Sequence, residues 1–155
     1  MPGKLLVFGA GFTGSRLVAA LQAEGWQAAG TSRSGENGTL LFEDGGRLAG
    51  EALAGVTHVV ASVPPGGDGD PVLNAHAGDL ARSETLVWAG YLSTTGVYGD
   101  HGGAWVDELS ETRPTAERSK RRLAAEMAWT EWGKAAGIPV QIFRLAGIYL
   151  SLIHI

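Results

Sequence analysis

The chain has 155 residues, no cysteine and a net charge of −4. Its length suits one domain of roughly 100–200 residues, and 45% hydrophobic with 18% charged residues exclude a disordered or fibrous chain. The negative charge opposes binding to nucleic-acid phosphates, the lack of cysteine excludes disulfides, and no apolar run reaches the roughly 18 residues that span a bilayer. The sequence therefore predicts a cytoplasmic domain without a nucleic-acid or membrane partner.

Apolar runs separated by glycine and proline predict alternating strands and helices. The predicted strands cover 5–8, 26–31, 40–42, 57–63, 85–93 and 140–143, and the predicted helices cover 13–23, 46–53 and 70–82. A last helix is expected to begin at Pro114, which suits a first helical turn, and to end at Gly133 or Gly137. The alternation predicts an α/β fold with a doubly wound parallel sheet in three α/β/α layers.

A glycine motif, Gly9-Ala10-Gly11-Phe12-Thr13-Gly14, directly follows the first predicted strand and opens the first predicted helix. In this context G-x-G-x-x-G is typical of dinucleotide binding. The first glycine permits the tight turn, the second lets the backbone approach a pyrophosphate, and the third lets the helix pack on the strand. The alternative is a glycine turn that joins strand to helix and binds nothing.

The second predicted strand runs into Thr31-Ser32-Arg33, where NAD-binding proteins of this fold place a carboxylate for the ribose 2′-hydroxyl. A guanidinium with neighbouring hydroxyls suits a 2′-phosphate better, because arginine offers planar, charge-assisted donors. The sequence therefore predicts NADP in preference to NAD, and not FAD. The alternative is that Arg33 is an ordinary solvated loop charge.

Four segments, GAGFTG, SVPP, YLSTTGVYGD and FRLAGIY, together resemble the extended, atypical short-chain dehydrogenase/reductases of the NAD-dependent epimerase/dehydratase type. The resemblance implies a dinucleotide-binding Rossmann domain over 1–149, a smaller C-terminal part that helps to hold a small carbonyl or sugar-nucleotide substrate, and a possible homodimer. The residues then expected to bind the cofactor are Gly9, Gly11, Phe12, Thr13, Gly14, Ser32, Arg33 and Ser62.

Members of this family use a serine or threonine after the fifth strand, a tyrosine as acid/base, and a lysine four residues after that tyrosine. The resemblance places the hydroxyl at Thr94, where it would bind the reacting oxygen. No tyrosine stands four residues before a lysine in this chain, and Arg118 and Arg122 fall at the tyrosine and lysine positions. Arg122 could hold cofactor ribose or phosphate, and Tyr98 could replace the acid or simply anchor its turn.

Two alternatives to an NADP-dependent oxidoreductase or epimerase/dehydratase-like enzyme stay open. One is a non-catalytic NAD(P)-binding sensor or scaffold, and the other is a fragment that does nothing by itself. Residues 150–155 lack turn chemistry and are expected to be a non-native or truncated tail. No metal site is expected, because the four histidines have no ligand spacing.

Overall fold

A computed structural model describes residues 2–43 and 46–147 of the chain. The tail predicted at residues 150–155, together with Ile148 and Tyr149, lies outside the described residues. The strands are β1 (Lys4–Phe8), β2 (Gln27–Ser32), β3 (Leu40–Leu41), β4 (His58–Ala61), β5 (Trp88–Thr94) and β6 (Val140–Leu145). The helices are α1 (Phe12–Ala23), α2 (Gly50–Leu53), α3 (Pro71–Ala81) and α4 (Glu117–Ala136), with one 3₁₀ turn at Thr95–Val97.

The six strands form one sheet in the order β3-β2-β1-β4-β5-β6, and every paired neighbour is parallel. The chain moves outward from β1 to β3 on one side and then from β4 to β6 on the other. The direction of winding therefore reverses between β1 and β4. In open parallel sheets the crevice beyond the carboxyl ends of the strands at this switch point is where ligands bind.

Helices cover both faces of the sheet, which confirms the predicted doubly wound α/β architecture. On one face, α3 and α4 supply buried residues such as Val72 and Trp129 to the larger core cluster, and α2 packs against it. On the other face, Leu17, Val18 and Leu21 of α1 pack against the smaller cluster, which is built on β1 and β4. Strand β1 is buried on both faces because it lies near the centre of the sheet.

The ends of most elements differ from the sequence predictions, by one or two residues in several cases, and β5 begins at Trp88 rather than at residue 85. Helix α4 begins at Glu117 rather than at Pro114, and it ends as expected before Gly137, which takes the left-handed conformation at φ 69°. The helix predicted over 46–53 is reduced to α2, and the strand predicted over 57–63 is reduced to β4. None of the helices in the described ranges is long and apolar enough to cross a membrane.

Candidate functional site

Gly9 begins the turn that follows β1, and its backbone requires glycine. Its φ is 84°, a region that other residues rarely adopt, and an added Cβ would lie 3.1 Å from Val63 N. The turn is fixed by two hydrogen bonds to the end of β2, from Gly9 N–H to Thr31 Oγ1 (3.0 Å) and from Ala10 N–H to Thr31 O (2.7 Å). The loop is therefore held in place before any ligand binds.

Gly11 leaves open space at the first turn of α1. An added Cβ there would meet nothing within 4 Å, and Gly11 has φ −70°. No side chain caps α1, and among the described residues no hydrogen bond occupies the N–H groups of Phe12, Thr13 or Gly14. Unpaired N–H groups and the helix dipole favour an anion at this position.

Two further glycines let the turn pack closely against the sheet. A Cβ on Gly14 would lie 3.0 Å from Val7 Cγ1 and 3.2 Å from Gly9 O, as expected for the third glycine of the motif. A Cβ on Gly30 of β2 would lie 2.3 Å from Ala10 Cβ. The sequence analysis did not select Gly30, although a glycine inside a strand is a known sign of close backbone approach.

Ser32 and Arg33 lie where β2 ends, and they differ in whether their side chains are free to bind a ligand. The Thr39 hydroxyl donates to Glu36 O (2.6 Å), so the Ser32 hydroxyl is the donor in its 2.6 Å bond to Thr39 Oγ1. Ser32 Oγ also accepts from Gly35 N–H at 3.0 Å. The Ser32 proton is thus used inside the loop, whereas the Arg33 side chain is exposed.

A cleft of about 230 Å³ opens beside the first turn of α1. It is bounded by the ends of β4 and β5 and by one face of α4. The residues that line it are Thr13, Ser62, Leu92, Ser93, Thr94, Arg122, Leu145 and Ala146. Three of the residues predicted for the site, Thr13, Ser62 and Thr94, therefore line one cleft.

The two hydroxyls at the end of β5 have different tasks. Ser93 is buried, and its Oγ donates to Glu126 Oε1 of α4. Thr94 Oγ1 accepts from Gly96 N–H at 3.1 Å, and its own proton has no acceptor among the described residues. Of these two hydroxyls, Thr94 is therefore the one that can donate to a ligand oxygen in the cleft.

The two arginines at the family's tyrosine and lysine positions are placed differently. Arg118 is exposed and does not line the cleft. Arg122 is half-buried and lines it, with Nη1 donating to Leu92 O (2.9 Å) and to Tyr91 Oη (3.3 Å). Burial raises the pKa of Tyr91 to about 12, so this phenol keeps its proton near neutral pH.

Tyr98, the alternative acid of the sequence analysis, lines a different cleft with Thr95 and Arg144. It is 7% exposed, and the Arg144 guanidinium lies 4.8 Å from the centre of its ring. Tyr98 O accepts from Arg113 N–H at 3.0 Å, which ties the long loop after β5 to this turn. These contacts favour the anchoring role over the acid role.

Beneath the cleft lies a buried polar network that the sequence analysis missed. Glu126 on α4 binds Arg144 on β6 through two oxygens, with the shortest distance 2.7 Å, and it also accepts from Ser93. The pKa of Arg144 is raised, first by its hydrogen bonds to Glu126. The network fixes α4 against β5 and β6, and so fixes the helix face that carries Arg122.

Asp70 is a second buried group near this network. Its Oδ1 accepts from the N–H groups of Val72 and Leu73 and caps α3, while Oδ2 and Trp129 Nε1 form no hydrogen bond of good geometry among the described residues. Burial raises the pKa of Asp70, although the two capping bonds, the Trp129 indole and the charge of Arg122 lower it in part.

The predicted site residues thus form two groups at the carboxyl edge of the sheet. Gly9, Gly11, Phe12, Thr13 and Gly14 form the turn and the first helical turn, next to Ser62 and Thr94 in the cleft. Ser32 and Arg33 stand apart from the cleft at the end of β2. Within the two described ranges, no group of three or more His, Asp or Glu residues could hold a metal ion.

Comparisons with solved structures agree with this fold. The chain is 43% identical to a functionally unknown conserved protein from Silicibacter pomeroyi DSS, over 95% of this chain and 54% of that one, with a TM-score of 0.83. A nucleoside-diphosphate sugar epimerase from Corynebacterium glutamicum matches at 22% identity, over 93% and 34% of the two chains, with a TM-score of 0.73. A UDP-glucuronic acid 4-epimerase from Bacillus cereus in complex with NAD matches at 21% identity, over 94% and 56%, with a TM-score of 0.74.

These likenesses, together with the all-parallel sheet and its switch point, define the class: a Rossmann-like α/β fold. The chain spans between about a third and just over half of the solved structures it matches here. No protein-family model matches the chain, and no curated protein matches it.

Proposed function

We propose that the chain is the nicotinamide-dinucleotide-binding part of an oxidoreductase related to the extended, atypical short-chain dehydrogenase/reductases of the epimerase/dehydratase type. The observation that carries the proposal is the open backbone at Gly11, next to the unoccupied N–H groups of the first turn of α1. It lies at the switch point of the sheet, where this fold binds ligands. The likeness to a 4-epimerase in complex with NAD supports the proposal.

The residues present fit a dinucleotide. Gly11 leaves room for a diphosphate, whose oxygens would accept hydrogen bonds from the N–H groups of Phe12 and Thr13. Gly9 and Gly14 would hold the turn in shape, and Ser62 would contact the cofactor from the end of β4. A bound nicotinamide would supply or accept a hydride, while the protein orients the reacting groups.

We further propose that the cofactor is NADP rather than NAD. Arg33 is exposed where β2 ends, and its guanidinium is free to meet a 2′-phosphate. Ser32 would assist only if it gave up its hydrogen bond to Thr39. No carboxylate stands at this position to receive the 2′-hydroxyl of NAD.

Fluorescence titration of NADPH and NADH into the chain tests both the site and its preference. The Arg33→Asp variant should weaken NADPH binding by about tenfold or more, because a charge-assisted bond contributes about 1.5–3 kcal/mol, while NADH binding changes little. Arg121→Asp makes the same charge change on an exposed part of α4 and serves as the control. Equal losses of NADPH and NADH affinity in Arg33→Asp would remove the preference for NADP.

The catalytic part of the proposal rests on Thr94. Its hydroxyl would donate a hydrogen bond to the oxygen of a small carbonyl or sugar-nucleotide substrate in the cleft beside the cofactor. No tyrosine–lysine pair accompanies it, because Arg118 and Arg122 occupy those positions. The reaction that we propose is therefore hydride transfer at a carbonyl carbon, with Thr94 as the hydrogen-bond donor to its oxygen.

A second candidate function is a non-catalytic NAD(P)-binding sensor or scaffold. The two arginines at the tyrosine and lysine positions favour it, since arginine does not give up its proton in proteins. A sensor would bind NADPH and show no NADPH oxidation with any member of a carbonyl panel. A cytoplasmic location and a homodimer stay predictions under either function.

A further inference from the structure

The proposed function leaves one charged side chain of the cleft without a role. Resting on that function, we infer that Arg122 is the anion-binding residue of the cleft, and that the ligand bound beside the cofactor presents a carboxylate or phosphate group to it. Arg122, which stands at the position of the family's lysine, would then bind the substrate's anionic group.

The composition of the cleft is the first argument. Of the eight described residues that line it, Arg122 is the one with an ionisable side chain, and the others are hydroxyl or apolar residues. In the described part of the chain, no carboxylate lines the cleft to repel an anion or to neutralise the guanidinium there. The formal charge that these lining residues present to a ligand is therefore positive, although the chain as a whole carries a charge of −4.

The second argument is how the guanidinium is held. Nη1 is fixed by Leu92 O and Tyr91 Oη, and the guanidinium lies 5.8 Å from the centre of the Tyr91 ring. Among the described residues, no hydrogen bond occupies Nε or Nη2. These two nitrogens form one edge of a rigid fork, the geometry that binds both oxygens of a carboxylate or phosphate.

Arg144, which is also partly buried, differs from Arg122 in how its charge is balanced. Arg144 forms a bidentate ion pair with Glu126, so its charge is balanced by direct contact. Arg122 forms no ion pair within the described ranges, and Asp70 acts on it without direct contact. A half-buried guanidinium without an ion-pair partner is costly, and an anionic ligand in the cleft would offset that cost.

The test titrates sodium malonate and inorganic phosphate into the full chain in the presence and absence of saturating NADPH, by calorimetry. Malonamide is the neutral counterpart of malonate. We expect malonate or phosphate to bind and malonamide not to bind. Arg122→Gln should weaken that binding by about tenfold or more, as expected for charge-assisted hydrogen bonds, with the affinity for NADPH unchanged within about twofold. Arg121→Gln, on the exposed neighbour, should leave both affinities unchanged.

A pH series separates binding by the side-chain charge from a merely structural role. The wild-type affinity for malonate, whose two carboxylates are ionised throughout, should be constant from pH 7 to about 11, because arginine stays charged. Arg122→Lys should bind the anion below pH 9 and lose it as the lysine ammonium deprotonates near its usual pKa of about 10.4. A structural role alone would not produce this difference between the two cations.

Three results would overturn the inference. The first is wild-type chain that binds NADPH but neither malonate nor phosphate, and the second is Arg122→Gln that binds the anion as wild type does. The third is a loss of NADPH affinity in Arg122→Gln without a change in anion binding, which would assign Arg122 to the cofactor. If wild type fails to bind NADPH, the proposed function fails, and the titrations without NADPH still decide whether Arg122 binds anions.

Discussion

Two adjacent residues at the end of β5, Ser93 and Thr94, carry hydroxyls with different roles, one structural and one available to a ligand. Both residues line the cleft, but the Ser93 hydroxyl donates its proton to Glu126 of α4, while the Thr94 hydroxyl keeps its proton for a ligand. The difference follows from strand geometry, in which successive side chains point to opposite faces. A pair of similar side chains in the sequence thus serves two purposes in the fold.

Replacement of Thr94 tests the catalytic part of the proposed function. Thr94→Val removes the donor to the reacting oxygen and should slow NADPH oxidation with a reactive carbonyl compound by about 10²–10³, the usual effect of losing one such donor. NADPH affinity should stay within about twofold, because Thr94 is not expected to hold the cofactor. The rate is measured by NADPH absorbance over a panel of carbonyl compounds.

Thr95→Val is the matched control, since Thr95 is exposed and lines the neighbouring cleft with Tyr98. Its rate should equal that of wild type. An unchanged rate in Thr94→Val would contradict the role given to this hydroxyl, and the absence of turnover in every variant would favour the sensor function.

At the scale of the helix, α3 depends on a buried carboxylate at its first turn. Asp70 caps α3 through Oδ1, and burial raises its pKa above the usual value of 3.8. The folded state therefore holds the Asp70 proton at pH values where the unfolded chain has lost it. The contribution of Asp70 to the free energy of unfolding is greatest below pH 3.8 and falls as pH rises through the raised pKa.

Asp70→Asn tests the direction of this pH dependence of stability. Asparagine keeps the oxygen that caps the helix but has no charge to bury, so its free energy of unfolding, relative to wild type, should increase as pH rises from about 4 to 7. Urea denaturation at a series of pH values measures the difference. A difference that is constant over this range, or that shrinks as pH rises, would contradict the account of Asp70.

The elements that sequence reasoning predicted well are those with a clear local signal. The apolar run of β1, the glycine that ends α4 and the existence of six strands all follow from pattern. The prediction that the last helix begins at Pro114 is wrong, because proline is compatible with a first helical turn but also with the extended loop that precedes Glu117. The local sequence permits both conformations at Pro114, and the packing of the folded chain decides between them.

Contacts between residues far apart in the sequence could not be predicted from the sequence. Glu126 and Arg144 are 18 residues apart, and their ion pair exists because β6 returns beside β5 beneath α4. His76 is similar: it is buried, its Nδ1 binds Asp79, and its Nε2 accepts from Leu48 N–H 28 residues away. A histidine or glutamate alone in a sequence does not reveal its partner.

At the scale of the whole molecule, the sheet order brings the site together. Gly9 follows β1 and Ser62 follows β4, and a Cβ on Gly9 would lie 3.2 Å from Ser62 C because these strands are neighbours. The cofactor-binding residues around α1 could be predicted, since the motif is local in sequence. The meeting of Thr13, Thr94 and Arg122 in one cleft depends on the full topology.

Gly11→Ala tests whether the backbone at Gly11 makes room for a diphosphate, on which the proposed function depends. The added Cβ meets no protein atom within 4 Å, so the variant should fold with an unchanged thermal midpoint. Its affinity for NADPH and NADH in the fluorescence titration should fall by about tenfold or more, equivalent to about 1.4 kcal/mol. Gly50→Ala, which also adds a Cβ in open space, should bind both as wild type does. Wild-type affinity in Gly11→Ala, with wild type binding NADPH, would contradict the claim.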